Sequence, residues 1–137
     1  MTMKSKDKKI EEATKKEIKR FNNSVKYSIE GLIACYRDER SMLIHLVMSI
    51  VVIVCGIIFK ITALDWVLSL IMMGTIMCIE ILNTAIESCV DLVTLEKHPE
   101  AKKAKDCGSA AAFMMSIFTF IGELVIFLPH IQNFFMK

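Results

Sequence analysis

Leu64–Leu92 reads LDWVLSLIMMGTIMCIEILNTAIESCVDL, and its first half, from Trp66 to Ile79, carries no acidic or basic side chain. A helix of about 20 apolar residues spans about 30 Å of hydrocarbon, so this stretch is expected to cross a bilayer. Its second half is not uniformly apolar. Glu80, Asn83, Glu87 and Asp91 fall at i, i+3, i+7 and i+11, which at 100° per residue confines them to an arc of about 80°. Ile79, Ile81, Leu82 and Ile86 point elsewhere. Glu80 stands about 14 residues, or about 21 Å, from Trp66, which places its carboxylate inside one leaflet rather than in water.

Two further stretches are long and apolar enough to span. Met42–Phe59 (MLIHLVMSIVVIVCGIIF) has His45 as its one titratable group apart from Cys55, and Cys107–Leu128 contains Glu123. With 54% hydrophobic residues over 137 positions and a mean hydropathy of +0.49, the chain is too apolar for an ordinary soluble fold. Lipid obliges each span to satisfy its own backbone hydrogen bonds, so helices are expected rather than strands. The expected fold is all-α: a basic, disordered tail over residues 1–19, then one domain over 20–137. Within that domain, an amphipathic surface helix over 21–38 precedes spans over 42–59, 64–92 and 107–128, with a cytoplasmic loop over 93–106.

Charge sets the topology. Of the seventeen Lys and Arg, eleven precede Met42 and four lie between Asp91 and Ser109. By the positive-inside rule both regions stay in the cytoplasm, while the short KITALD turn lies outside. The first apolar run begins past residue 40 and is too long for the core of a cleavable signal peptide. In the segment before it, Phe21, Val25, Ile29, Leu32, Ile33 and Tyr36 recur at spacings of three and four, as a helix lying in the membrane interface requires. Five cysteines stand singly with no CxxC pair, so disulfide and metal roles are not indicated. Neither GxxxxGK[ST] nor a kinase-like GxGxxG occurs, and so little mass outside the bilayer excludes a soluble catalytic domain.

An ionised carboxylate at the bilayer centre costs about 2.5–3.5 kcal/mol on insertion scales, so an intramembrane Glu is a candidate for function. The bland alternative, a hydrogen-bonded cluster between helices, fits Glu80 alone less poorly than it fits a whole stripe. Topology brings Glu39, just before the first span, and Lys105 with Asp106, just before the third, to the mouth where Glu87 emerges. Two carboxylates from different helices can hold Mg²⁺, which typically takes one or two carboxylates plus substrate phosphates. A deeper glutamate is better placed as general base, because desolvation strengthens a carboxylate's hold on a proton. Lys105 can meet phosphate oxygens as a point charge. The pattern points to a reaction between a water-soluble polyanion and a membrane-dissolved alcohol, and phosphoryl transfer needs mainly positioning and charge neutralisation.

The segment EILNTAIESCVDLVTLEKHPEAKKAKDCGSAA, Glu80–Ala111, resembles the signature of the small prokaryotic lipid kinases, the diacylglycerol kinase and undecaprenol kinase family. Its core is E-x-x-N-[ST]-A-[IL]-E-x-x-V-D followed by A-K-D-x-[GA]-[SA]-A-A, and the resemblance extends from about Arg20 into the third span. It implies a homotrimer in a bacterial inner membrane, with active sites shared between subunits, a lipid alcohol as acceptor and MgATP as donor. By motif position Glu80 would be the general base and Glu39 and Glu87 the metal ligands. Asn83, Asp91, Lys105 and Asp106 would complete the polar site, and Arg20, Tyr27, Glu96, Lys97 and His98 correspond to nucleotide contacts, together with Glu39, Glu87, Lys105 and Asp106. The run from Glu39 to His45 resembles the ERNMxxH pattern of the undecaprenol branch, with Ser41 in place of Asn. Undecaprenol is therefore favoured over diacylglycerol, and no nucleic-acid partner is expected. Outside the enzyme class, Glu80, Glu87 and Glu123 suggest an oligomeric proton or ion pathway.

Overall fold

Every segment with a 3.6-residue apolar rhythm is helical in the computed structural model, which describes residues 3–136 and the side chains of residues 11–136. Four helices follow one another: α1 (Met3–Asp38), α2 (Arg40–Phe59), α3 (Ala63–Val93) and α4 (Pro99–Phe135). No strand occurs among the described residues. The last three helices are each long and apolar enough to cross a membrane, which bears out the all-α membrane reading. At about 1.5 Å per residue α2 spans about 30 Å, whereas α3 and α4 reach about 46 and 55 Å and outrun the hydrocarbon.

The contacts divide the chain into residues 1–37 and 38–137. Helix α1, taken by itself, begins well before the position expected from the sequence. A disordered tail was predicted for residues 1–19, of which 1 and 2 lie outside the described residues, yet the helix is continuous from Met3. No Gly or Pro interrupts the chain before Gly31. Pairs such as Lys15 with Glu11 at 2.6 Å and Arg20 with Glu17 at 2.7 Å join successive turns, the spacing that supports an exposed helix. Phe21, Val25, Ile29 and Leu32 form an exposed apolar stripe along it, the amphipathic pattern read from the sequence.

Within residues 38–137, α3 and α4 form the closest helix pair, and α2 packs against both. The α2–α3 turn is fixed chemically. Lys60 takes a left-handed conformation (φ 53°) that ends α2. Thr62 then caps α3: its Oγ1 accepts from the Asp65 N–H at 3.3 Å while the Asp65 carboxylate accepts from the Thr62 N–H at 3.0 Å, a reciprocal capping box. Asp65 also meets His130 Nε2 of α4 at 3.0 Å, tying the α2–α3 turn to α4 at this end. A Cβ on Gly56 would lie 2.7 Å from the Trp66 ring, so glycine permits α2 and α3 to approach here. Ile61, Ile126 and Phe127 form the buried core of this end.

At the opposite end, the loop predicted over 93–106 is mostly helix. Only Thr94–His98 lies between α3 and α4. His98 caps α4 by accepting the Glu100 N–H on Nδ1 at 3.3 Å, and Pro99 occupies the first helical position, where its missing N–H costs nothing. Ala101, Lys102, Lys103, Ala104 and Lys105 are all good helix formers, so the helix starts eight residues before the apolar span. It also passes Leu128, continuing through Pro129 to Phe135.

Candidate active site

The polar stripe on α3 meets different neighbours at each level. Deepest is Glu80, only 7% exposed. Both of its carboxylate oxygens have partners on α2. The Ser41 hydroxyl donates to Oε2 at 3.0 Å, and His45 Nε2 lies 3.1 Å from Oε1. Thr84 donates to the Glu80 carbonyl at 3.0 Å. One turn along, Asn83 Nδ2 donates to Glu87 Oε1 at 3.0 Å, which holds that carboxylate along the stripe. Asn83 Oδ1 is buried without a hydrogen-bond partner and rests against Gly108 of α4. At the end of the stripe Asp91 pairs with Lys105 of α4 at 2.6 Å.

Glu39 sits at the N-terminus of α2 with an extended backbone and no side-chain cap bond. Burial, followed by the nearby carboxylates of Glu87, Glu80 and Asp38, holds its carboxyl above the ordinary glutamate range. Glu87 and Glu80, both singled out in the sequence, thus lie within electrostatic reach of Glu39. Packing three anions together without a cation is unfavourable. The donors are all hard oxygens, which suits Mg²⁺ rather than a softer metal. Among the described residues no group of three or more His, Cys, Asp or Glu side chains is arranged to close a metal site, so a cation held here would need ligands from elsewhere. Two carboxylates plus substrate phosphates meet that requirement.

The α3–α4 turn borders an open hollow of about 660 Å³, lined by Asp91, Glu96, Lys97, His98, Lys105 and Asp106 among others. Asp106 is engaged by Lys102 one turn earlier on α4. The structure therefore gathers the expected residues of α3, the turn and α4 at one end of the bundle. Arg20 and Tyr27 belong to α1, where both are exposed and Arg20 pairs with Glu17.

Two side chains at the site escaped the sequence assignment of roles: Ser41 as a donor and His45 as a partner of Glu80. The signal was present, since a serine and a histidine four residues apart face one side of a mainly apolar helix. Glu123 lies apart from this cluster. Its Oε2 accepts from the fully buried Ser69 at 3.0 Å, and its Oε1, like Thr119 Oγ1, is buried without a partner. Glu123, Thr119 and His45 all border a mainly apolar cavity of about 410 Å³ between α2, α3 and α4.

Known proteins are similar to this chain in sequence. The chain is 34% identical over 113 residues to an undecaprenol kinase of Bacillus subtilis (strain 168), covering 82% of this chain and 92% of that protein. It is 35% identical over 97 residues to a diacylglycerol kinase of Pseudomonas aeruginosa, covering 71% and 79%. A diacylglycerol kinase of Escherichia coli (strain K12) is 32% identical over 104 residues, covering 76% and 85%. The family model for prokaryotic diacylglycerol kinase matches residues 26–127, a span that holds every carboxylate of the cluster. The chain belongs to the prokaryotic diacylglycerol kinase family of lipid kinases.

Proposed function

We propose that this protein transfers the γ-phosphoryl group of ATP to the hydroxyl of a membrane lipid alcohol, undecaprenol ahead of diacylglycerol, with its active site on the cytoplasmic side of a bacterial inner membrane. One observation carries the reading: a carboxylate buried at bilayer depth, Glu80, stands on the same helical face as Glu87 and close to Glu39. That face joins the apolar interior, where the alcohol dissolves, to the charged mouth, where a nucleotide arrives.

In the proposed reaction Glu80 takes the hydroxyl proton as the lipid oxygen attacks the γ-phosphorus. The bond from γ-phosphorus to the β,γ-bridging oxygen breaks, and ADP leaves with that electron pair. The transition state is loose, so rate comes mostly from alignment and charge neutralisation. Glu39 and Glu87 would hold Mg²⁺, which when bound neutralises phosphate charge. Asn83 keeps Glu87 in place through its 3.0 Å bond. Lys97 and Lys105 border the hollow at the α3–α4 turn and supply positive charge for the phosphates, with Asp91 orienting Lys105. Arg20, Tyr27, Glu96, His98 and Asp106 are proposed as further nucleotide contacts, and a homotrimer with shared sites is proposed from the family resemblance.

The name of the Bacillus relative and the Glu39-to-His45 pattern favour undecaprenol, while the names of the other relatives keep diacylglycerol as the second reading. A proton relay is disfavoured, because the buried face of α3 between Ser69 and Glu80 is Met73 and Ile76, an apolar gap of about three turns. Purified protein in detergent micelles with radiolabelled ATP and a panel of lipid alcohols tests the proposal. Label should pass to undecaprenol in preference to diacylglycerol. A strong preference for diacylglycerol would reverse the substrate ranking, and no transfer to any lipid would remove the kinase reading.

A further inference from the structure

We propose that His45, acting with Ser41, is a positioning residue that clamps the Glu80 carboxylate; this rests on the lipid-kinase reading and on Glu80 as its base. Ser41 and His45 are one turn apart on α2, so both side chains project from one face. Each takes a different oxygen of the same carboxylate, at 3.0 Å and 3.1 Å. A glutamate side chain has three rotatable bonds, and a donor on each oxygen fixes the plane of its carboxylate as well as its location. At 7% exposure Glu80 has little water to supply those donors. The donors must come from protein, and α2 provides both.

The pairing also fixes a tautomer. A ring nitrogen 3.1 Å from a carboxylate oxygen needs one hydrogen between them, so His45 carries that hydrogen on Nε2 whenever Glu80 is the ionised base. The backbone beneath the ring is tied as well, because the Ser49 hydroxyl donates to the His45 carbonyl at 2.8 Å. His45 at the same time borders the apolar cavity of about 410 Å³. The ring that orients Glu80 is therefore part of the wall along which a lipid would approach it. A reacting pair must hold near-contact geometry, and misplacement by about 1 Å costs about 100-fold in rate. A purely structural pair would stabilise the bundle without affecting turnover. The clamp instead predicts an effect on kcat that a donor of similar reach restores.

The test uses the full chain in micelles with MgATP and undecaprenol, comparing wild type, His45→Leu, His45→Gln and Ser41→Ala. For His45→Leu the expected result is a kcat lower by about 10–100-fold, with KM for MgATP within about twofold. In His45→Gln a side-chain N–H can still reach the carboxylate, and most of the lost kcat should return. Ser41→Ala should lower kcat by about 3–10-fold, in line with one neutral donor. Thermal unfolding and gel filtration of each variant report folding. If His45→Leu does not fold, Ser41→Ala and His45→Gln decide the matter through the same kcat-against-KM split. Wild-type kcat in a folded His45→Leu, or in Ser41→Ala, would overturn the clamp. So would a His45→Gln as impaired as His45→Leu. Those results beside an inactive Glu80→Gln leave the kinase reading standing, whereas a wild type that phosphorylates no lipid overturns that reading instead.

Discussion

Gly108→Ala probes the seam on which the site depends. A Cβ at Gly108 would collide with Asn83 Oδ1 and reach 3.4 Å from Asn83 Cγ and 3.6 Å from Ile86 Cδ1. Two relaxations are open. Asn83 can rotate away, which forfeits its bond to Glu87; a hydrogen bond to a charged group contributes about 1.5–3 kcal/mol. Otherwise α3 and α4 separate locally by roughly 1 Å, and overpacking of this kind costs about 1–3 kcal/mol. Both displace Asn83, and at about 1.4 kcal/mol per tenfold change the loss corresponds to about 5–100-fold in kcat/KM if it falls on site geometry. Gly74 of α3, the helix that carries Asn83, has nothing within 4 Å of its would-be Cβ. Gly74→Ala should therefore be neutral or stabilising by up to about 1 kcal/mol through helix propensity. Thermal unfolding in micelles and phosphoryl transfer to lipid, run on both variants, separate the effects. Gly108→Ala with wild-type unfolding and activity would refute the packing argument, as would a Gly74→Ala that is equally damaging.

Other expectations follow from individual contacts. Ser69→Ala removes the donor to Glu123 Oε2 and leaves both carboxylate oxygens without a protein donor; unfolding should show a loss of about 1–3 kcal/mol, and Ser69→Thr should recover part of it. The Glu39 carboxyl is held above its ordinary value near 4.5 by burial and neighbouring carboxylates. The stability it gains from holding its proton is complete below that ordinary value and is lost as pH rises through the raised one. Denaturation without divalent cations should show this decline above about pH 4.5, and Glu39→Gln should flatten it. Asp91→Asn breaks the pair with Lys105, whose side chains are 47% and 35% exposed. Its stability cost should be under about 1 kcal/mol, so a large rise in KM for MgATP beside an unchanged unfolding midpoint would mark Lys105 orientation as the true effect.

The three crossings and the stripe from Glu80 to Asp91 were legible because both depend on local periodicity, which lipid enforces. Other features depend on contacts that periodicity does not encode. From Glu11 onward α1 carries exposed charge pairs between successive turns, residues that composition alone reads as a solvated tail. The early start of α4 rests on His98 and Pro99 as cap and first residue, contacts of two residues in a segment without apolar periodicity. The partners of Glu80 come from α2, and helix pairing between spans decides them. Ser41 and His45 show the correct spacing for such a role, but the sequence does not say which helix they face. The Ser69–Glu123 bond was illegible for the same reason.

The central claim is that Glu80 takes the proton of a lipid hydroxyl during transfer of phosphate from ATP. Radiolabelled phosphoryl transfer to undecaprenol, measured side by side for wild type and Glu80→Gln in micelles, tests it most directly. Glutamine keeps the size and the carbonyl oxygen but accepts no proton at neutral pH, so the variant should fold and retain at most about 1% of wild-type turnover. A folded Glu80→Gln that transfers phosphate at the wild-type rate would contradict the claim.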